Sequence, residues 1–396
     1  MPSLLTFDDV PILPYSQLLE AYKPGGAAHC GGPLWPDWER QVAARHCRNG
    51  RPVDVPPDVL TPQDVIAEPV AWGGAIVRHF GHQIAEFSMR LLPTLRERPD
   101  AVFAFGVKPD YGIVSRDTAP PFFAEVLDWF GASPERIRIV ARPTVAARLR
   151  VAPQAEQFGM RGGEVGPSPD HLDALDALVR RRLGTPDRRG TVYVSRAGQR
   201  WHCAGEIAIE AALARAGVDI LRPETLPLVE QLRRYAGADR MLFAEGSALH
   251  GLQLLGRGLG DVIVLLRRTG QTMARASIAP RVRSVSYHDC GVRLVHGLEP
   301  TGIVATNQAL TVVDENLLVE HLERLGIPVA SHWDALSYRA ACEQDARTWL
   351  SHACEARRLT IPGAADAIRT SLATCGFGHL SDEVDAAVHR LPNAGG

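Results

Sequence analysis

The sequence predicts an α/β protein built as two doubly wound domains with helices after them. Three observations carry this. Apolar runs of strand type alternate with helical patterns from Val70 to Leu266, the signature of parallel sheets covered by helices. A loop from Glu156 to Pro169 holds Gly159, Gly162, Gly163, Gly166, Pro167 and Pro169 and reads as a domain boundary. A chain of 396 residues is too long for one typical core. The expected division is 1–168, 169–310 and a helical segment 311–396 that packs back on the N-terminal domain.

Residues 1–69 are rich in proline and glycine. Pro52, Pro56, Pro57 and Pro62 argue for loops and short edge strands, and no function is legible there. From Gly81 to Leu92 a helix is expected. Ile84, Phe87, Leu91 and Leu95 form its buried stripe. His82, Glu86 and Arg90 follow at steps of four and share another face. That face is either solvated, with a Glu86–Arg90 ion pair, or turned into a cleft.

Strands are then expected at Ala101–Val107 and Ile137–Ala141, with a helix between them at Pro121–Phe130. In the second domain a helix at Asp170–Leu183 leads to the strand Thr191–Val194, which ends in Ser195-Arg196. Ligands of open α/β sheets bind at such carboxyl ends, so Arg196 and Arg200 are candidates for facing a phosphate with fork geometry. Helices follow at Glu206–Ala216 and Pro227–Tyr235, with strands at Val218–Leu221 and Asp261–Leu266.

The stretch Met241 to Leu255 joins a short strand to a helical run through Glu245-Gly246-Ser247. A glycine there permits a tight turn and close approach of a ligand. The N–H groups of Ser247, Ala248 and Leu249 would start the helix and suit an anion. An ordinary strand–turn–helix junction, with Ser247 as N-cap, is the alternative. Beyond Arg267 the pattern weakens. Val282–Tyr287 reads as a strand, Asn316–Leu325 and Ser337–Arg358 as helices, and Pro362 onward as helical.

Composition narrows the classes. Hydrophobic content is 45%, charged content 22% and net charge −2, which gives no reason to expect nucleic acid. Lys23 and Lys108 are the only lysines. The seven cysteines are scattered, so a disulfide framework is not expected and a reducing, cytoplasmic setting fits. His29-Cys30 with His46-Cys47 matches no standard zinc spacing, and no metal is expected. The N-terminus lacks the pattern of a secretory signal, and no apolar run spans a membrane. A membrane would be reached only peripherally.

Three stretches in order resemble glycosyltransferase family 61. The first is His79-Phe80-Gly81-His82 with Glu86, Leu92 and Pro93; His79 stands where the family has asparagine. The second is Tyr193-Val194-Ser195-Arg196 with Arg200 and Glu206; Gly205 stands where asparagine is usual. The third is Glu245-Gly246-Ser247-Ala248-Leu249-His250, similar to the bacterial form of the segment, and Leu226 to Tyr235 with Glu230-Gln231 also fits. The strand Val262 to Leu266 lacks the glutamate usual after the third motif.

The resemblance, over about Val70 to Arg268, implies a GT-B architecture with two Rossmann-like domains facing across a cleft. It implies inverting, metal-independent transfer without a cofactor, from a nucleotide-sugar donor to a glycan or lipid-linked glycan, as in capsular or exopolysaccharide synthesis. In that reading Glu86 is the base and His82 its orienter or substitute. Ser195, Arg196, Arg200, Glu245, Gly246, Ser247 and His250 hold the donor, and His79 and Arg90 line the acceptor side. Rival readings are another sugar-nucleotide enzyme, such as an epimerase, and an inactive nucleotide- or glycan-binding protein.

Overall fold

The computed structural model describes residues 4–18, 29–159, 163–355 and 358–389. The described residues form two large sheets and two two-stranded ribbons. The first is mixed. Its core strands Val70–Ala75, Phe103–Gly106 and Ile137–Val140 run parallel, and Thr144–Val151 is parallel to Val70–Ala75. The strand Leu5–Leu18 pairs antiparallel with Thr144–Val151 on one side and with His29–Pro33 on the other. This corrects the expectation of loops and short edges for residues 1–69. Leu5–Leu18 has 14 residues and an interior place. Its Pro11 and Pro14 are local breakers, but pairing on both edges overrides them, with a register shift between Leu13 and Gln17.

The second sheet is wholly parallel. Its strands lie in the spatial order Asp219–Leu221, Thr191–Val194, Arg240–Ala244, Leu259–Leu265, Val282–His288. Alternation along each strand sends side chains to opposite faces. Val192, Val194, Met241, Phe243, Val262 and Val264 face one core, where Leu175, Leu178, Leu228 and Leu232 from the helices Pro169–Leu183 and Leu228–Ala236 cover them. Tyr193, Leu242 and Ile263 face the other, against Ile209 and Leu213 of the helix Glu206–Arg215. Both faces are buried, as parallel sheets require.

The C-terminal helices Ala335–Glu355 and Ala364–Thr374 pack on that second face through Cys342, Trp349, Leu350, Ile368 and Leu372. The expected place for them was the N-terminal domain. They lie instead on the second sheet, because its outer face is apolar and needs a cover. Residues 390–396 fall outside the described part. The first apolar core runs through both halves, from Phe103, Phe123 and Trp129 to Leu252, Leu255 and Val264. Trp129 donates its indole N–H to Leu254 O at 3.1 Å, and Glu125 accepts from the backbone N–H of Leu228 at 2.7 Å.

Candidate active site

The expected helix at Gly81–Leu92 is broken into three pieces. An α-turn spans Phe80–His82, a π-helical segment spans Gln83–Phe87, and an α-helix resumes at Leu91–Glu97. Single π turns occur often at functional sites. Ile84, Phe87 and Leu91 are buried as expected, and Leu95 packs partly buried on the same core. His79 caps the first turn, its Nδ1 accepting from His82 N at 3.3 Å. An asparagine oxygen makes the same bond, so His79 replaces asparagine without loss of the cap.

Glu86 is not on an open face. Its side chain has 0% exposure. Arg48 grips it with two bonds, Nε to Oε2 at 2.5 Å and Nη2 to Oε1 at 3.1 Å. His46 Nε2 lies 2.9 Å from Oε2, and His82 Nδ1 meets Oε1. Burial alone would raise the carboxyl pKa. The Arg48 guanidinium, with the hydrogen bonds from His46 and His82, holds it well below the usual carboxylate range instead. Glu86 is therefore a carboxylate, and His82 Nδ1 must be the donor. His82 keeps 27% of its side chain exposed.

The Glu86–Arg90 pair weighed from the sequence does not form, because the helix is interrupted between Ser88 and Arg90. Arg90 is buried and donates to the carbonyls of Ala44 (3.1 Å), Arg45 (2.7 Å) and Ala152. It clamps the N-terminal segment and does not line an acceptor site.

His29 and His46 do come together, with ring centroids 4.6 Å apart. Their partner is Glu86, not Cys30 or Cys47. The three could bring ligand atoms within 4.8 Å of one another, but the Arg48 guanidinium already supplies the positive charge beside Glu86. The grouping of His29 with His46 was legible in the sequence; Arg48 and the link of all three to Glu86 were not. One signal was present, the pair Asn49-Gly50. It forms a two-residue hairpin turn with φ 51° and 74° between the short strands Cys47–Arg48 and Arg51–Pro52.

The carboxyl edge of the second sheet is the other half. Glu206 Oε1 accepts from Tyr193 Oη (2.9 Å), Ser195 Oγ (3.1 Å) and Arg196 N (2.6 Å). It thereby fixes the loop that carries Arg196. Arg196 gives Nε and Nη2 to Trp201 O, while Nη1 lies against Gly246. Burial lowers the Arg196 pKa, partly offset by Glu206 and Glu245. Ser195 is buried under this loop. Arg200 departs from expectation. It is exposed, and its guanidinium stacks 5.2 Å from the Trp201 ring.

Glu245 also departs from expectation, being wholly buried. It accepts from the backbone N–H groups of Arg267 (2.9 Å) and Arg268 (3.1 Å) and from the Arg268 side chain, so it has no lone pair to spare for a donor. The expected helix at Ala248–Leu255 is a 3-10 helix at Ser247–Leu254. Leu249 N–H bonds back to Gly246 O at 3.1 Å. The N–H groups of Ser247 and Ala248 have no protein acceptor among the described residues.

The first and third motifs touch. A Cβ on Gly81 would stand 2.8 Å from His250 Cδ2 and 3.0 Å from Ser247 Cβ. His250 is buried, its Nδ1 2.8 Å from Gln253 Oε1. Gln253 Nε2 donates to the carboxylate of Glu156 at 3.0 Å. That fixes the amide orientation, so His250 Nδ1 carries the proton. Burial lowers the His250 pKa to about 4; it is neutral near pH 7 and brings no charge to a phosphate.

Between the two halves lies a cleft of ≈ 370 Å³. Phe80, Pro121, Phe122 and Glu125 line it from the first half. Ser195, Arg196, Glu224, Leu226, Gln231, Ser247 and Ala248 are among those lining it from the second. Glu125, Glu224 and Leu226 were not singled out from the sequence as site residues. For Glu224 the signal was position, since it follows the carboxyl end of the strand Asp219–Leu221.

A parallel α/β sheet with an arginine and backbone N–H groups at its carboxyl edge, beside a carboxylate-held imidazole, defines a site able to bind an anion and move a proton. Residues 80–260 match the family model described as Glycosyltransferase 61. The match supports transferase activity, with a donor and an acceptor as substrates. No curated protein matches the chain. Among the described residues no helix is long and apolar enough to cross a membrane.

Proposed function

We propose that this chain is an inverting, metal-independent glycosyltransferase of GT-B type. It moves a sugar from a nucleotide-sugar donor to a hydroxyl of a glycan or lipid-linked glycan, in surface polysaccharide synthesis. Residues 1–168 supply the acceptor side and 169–310 the donor side. The observation that carries this reading is the cleft between the halves, with Arg196 and the free N–H groups of Ser247 and Ala248 on one wall. Phe80, which opens the helical turn that carries His82, lines the other.

The roles of the first motif are then the reverse of those expected. Glu86 is sealed in the protein and orients; His82 is the base. With Nδ1 donating to Glu86, His82 Nε2 carries the lone pair. It takes the proton of the acceptor hydroxyl as that oxygen attacks the anomeric carbon. The bond from that carbon to the diphosphate oxygen breaks on the opposite face, and the configuration inverts. The departing diphosphate keeps the electron pair. Arg196 Nη1 and the Ser247 turn stabilise its charge as it leaves. His79 and Gly205, two of the three departures from the family pattern, both have structural duties, which favours an active enzyme over a binding protein.

His82→Gln should lower kcat by on the order of 10²–10⁴, with nucleotide binding by calorimetry unchanged, because the phosphates contact the other half. The assay is release of nucleoside diphosphate in the presence of acceptor. A folded His82→Gln enzyme with a near-normal rate would remove His82 from the mechanism.

A further inference from the structure

The N-terminal 69 residues enter the site through the hairpin at Asn49-Gly50. We propose that this hairpin is a positioning device: Arg48, backed by His46, keeps Glu86 a carboxylate inside the protein, and that charge state fixes which nitrogen of His82 is the base. The proposal rests on the reading of His82 as base, and Arg48 acts only through Glu86.

The argument begins with burial. A carboxyl group with no exposed surface takes up a proton unless a positive charge and hydrogen bonds compensate. Arg48 supplies both, by the two bonds at 2.5 and 3.1 Å. The groups facing Glu86 are Arg48, His46 and His29 from the N-terminal segment and His82 from its own helix. Of these only Arg48 carries a fixed charge. Burial lowers the pKa of both His29 and His46, so neither replaces it.

The consequence falls on His82. Beside a carboxylate, His82 Nδ1 donates and Nε2 accepts. Once Oε1, the oxygen that meets His82, is protonated, the acid donates to Nδ1 and the imidazole proton must sit on Nε2. The imidazole then has no lone pair for an acceptor hydroxyl. Arg48 therefore selects the tautomer that can act.

The hairpin is built to hold Arg48 still. Asn49 N–H donates to Phe158 O at 3.1 Å, Gly50 N–H to Gln157 Oε1 at 3.0 Å and Cys47 N–H to Gln154 Oε1 at 2.7 Å. Arg90 clamps the carbonyls of Ala44 and Arg45 just before it. Phe158 packs against both ends of the relay, 5.6 Å from the Arg48 guanidinium and 5.1 Å from the His82 ring. A buried ion pair can often be replaced by apolar residues without loss of stability, so folding alone does not require it.

The test is the ring-nitrogen spectrum of His82 in the full chain labelled with ¹⁵N-histidine, its signals identified by their loss in His82→Gln. The wild type should show a protonated Nδ1 and a bare Nε2 at neutral pH. In Arg48→Met the two signals should exchange character. In Arg48→Lys, which keeps the charge, they should stay as in the wild type. Should Arg48→Met fail to fold, Arg48→Gln retains an N–H for the carboxylate without the charge and carries the same expectation. A wild-type pattern in a folded Arg48→Met or Arg48→Gln protein overturns the proposal. Failure of the base reading would look different, since His82→Gln would then turn over while the tautomer still followed Arg48.

Discussion

Gly246 has φ 172°, extended backbone open to any residue. The sequence suggested a glycine for a tight turn; the reason for it is room. A Cβ there would overlap Arg196 Nη1 and stand 2.9 Å from Cζ. The guanidinium is the movable end of its side chain, so an added methyl displaces Arg196 and leaves the fold alone. Gly246→Ala should weaken binding of a nucleoside diphosphate about ten- to hundredfold, the worth of one charged hydrogen bond of roughly 1.5–3 kcal/mol. The melting temperature should hold. Calorimetry with UDP, GDP and CDP checks this, and unchanged affinity for whichever binds would move the diphosphate away from Arg196. At this scale residue types were legible and their directions were not. Spacing brought His82 and Glu86 together correctly. It could not reveal that Glu86 faces inward, because the partners that draw it in, Arg48 and His46, lie some 40 residues away on a segment with no periodicity.

Among elements, the helix Glu206–Arg215 starts at Gly205 with φ 71°. Its N–H donates to Asp345 at 2.8 Å, on the C-terminal helix Ala335–Glu355. A Cβ on Gly205 would stand 2.7 Å from both the Tyr338 ring and Cys342 Sγ. The family's asparagine is excluded here because the C-terminal helix occupies its place. Gly205→Ala combines left-handed strain of about 1–2 kcal/mol with overpacking of about 1–3 kcal/mol. It should cost about 2–5 kcal/mol in urea denaturation; a loss below about 1 kcal/mol would show that the helix pair yields freely. Elements with local signals were legible almost to the residue, such as Pro121–Phe130 and Thr191–Val194. The strands Leu5–Leu18 and Thr144–Val151 were not. Each is made a strand by the other, and the pairing spans well over a hundred residues.

Across the whole molecule, a network of buried polar groups ties the segment between the sheets to the second sheet. Glu156 and Arg281, both without exposure, form an ion pair. Gln253 joins it to His250, and His171 Nε2 lies 3.6 Å from Glu156. Burial lowers the pKa of His171 and of His250 to about 4, from an ordinary 6.5. Above pH 6.5 both are neutral whether folded or not, and their contribution to stability is complete. Below it the unfolded chain takes up a proton at each and the folded protein does not, so stability falls as the pH drops toward 4. Each group contributes a slope of about 1.4 kcal/mol per pH unit in that window. Glu86, held well below the usual carboxylate range, adds to the decline only as the pH nears the ordinary carboxylate range, where the unfolded chain takes up its proton. Melting curves from pH 8 to 5 should therefore be flat above about 6.5 and decline steeply below. His171→Gln should reduce the decline by about the share of one group. A melting temperature that holds level down to pH 5 would mean that water reaches both imidazoles, and that the join between the sheets is looser than this packing.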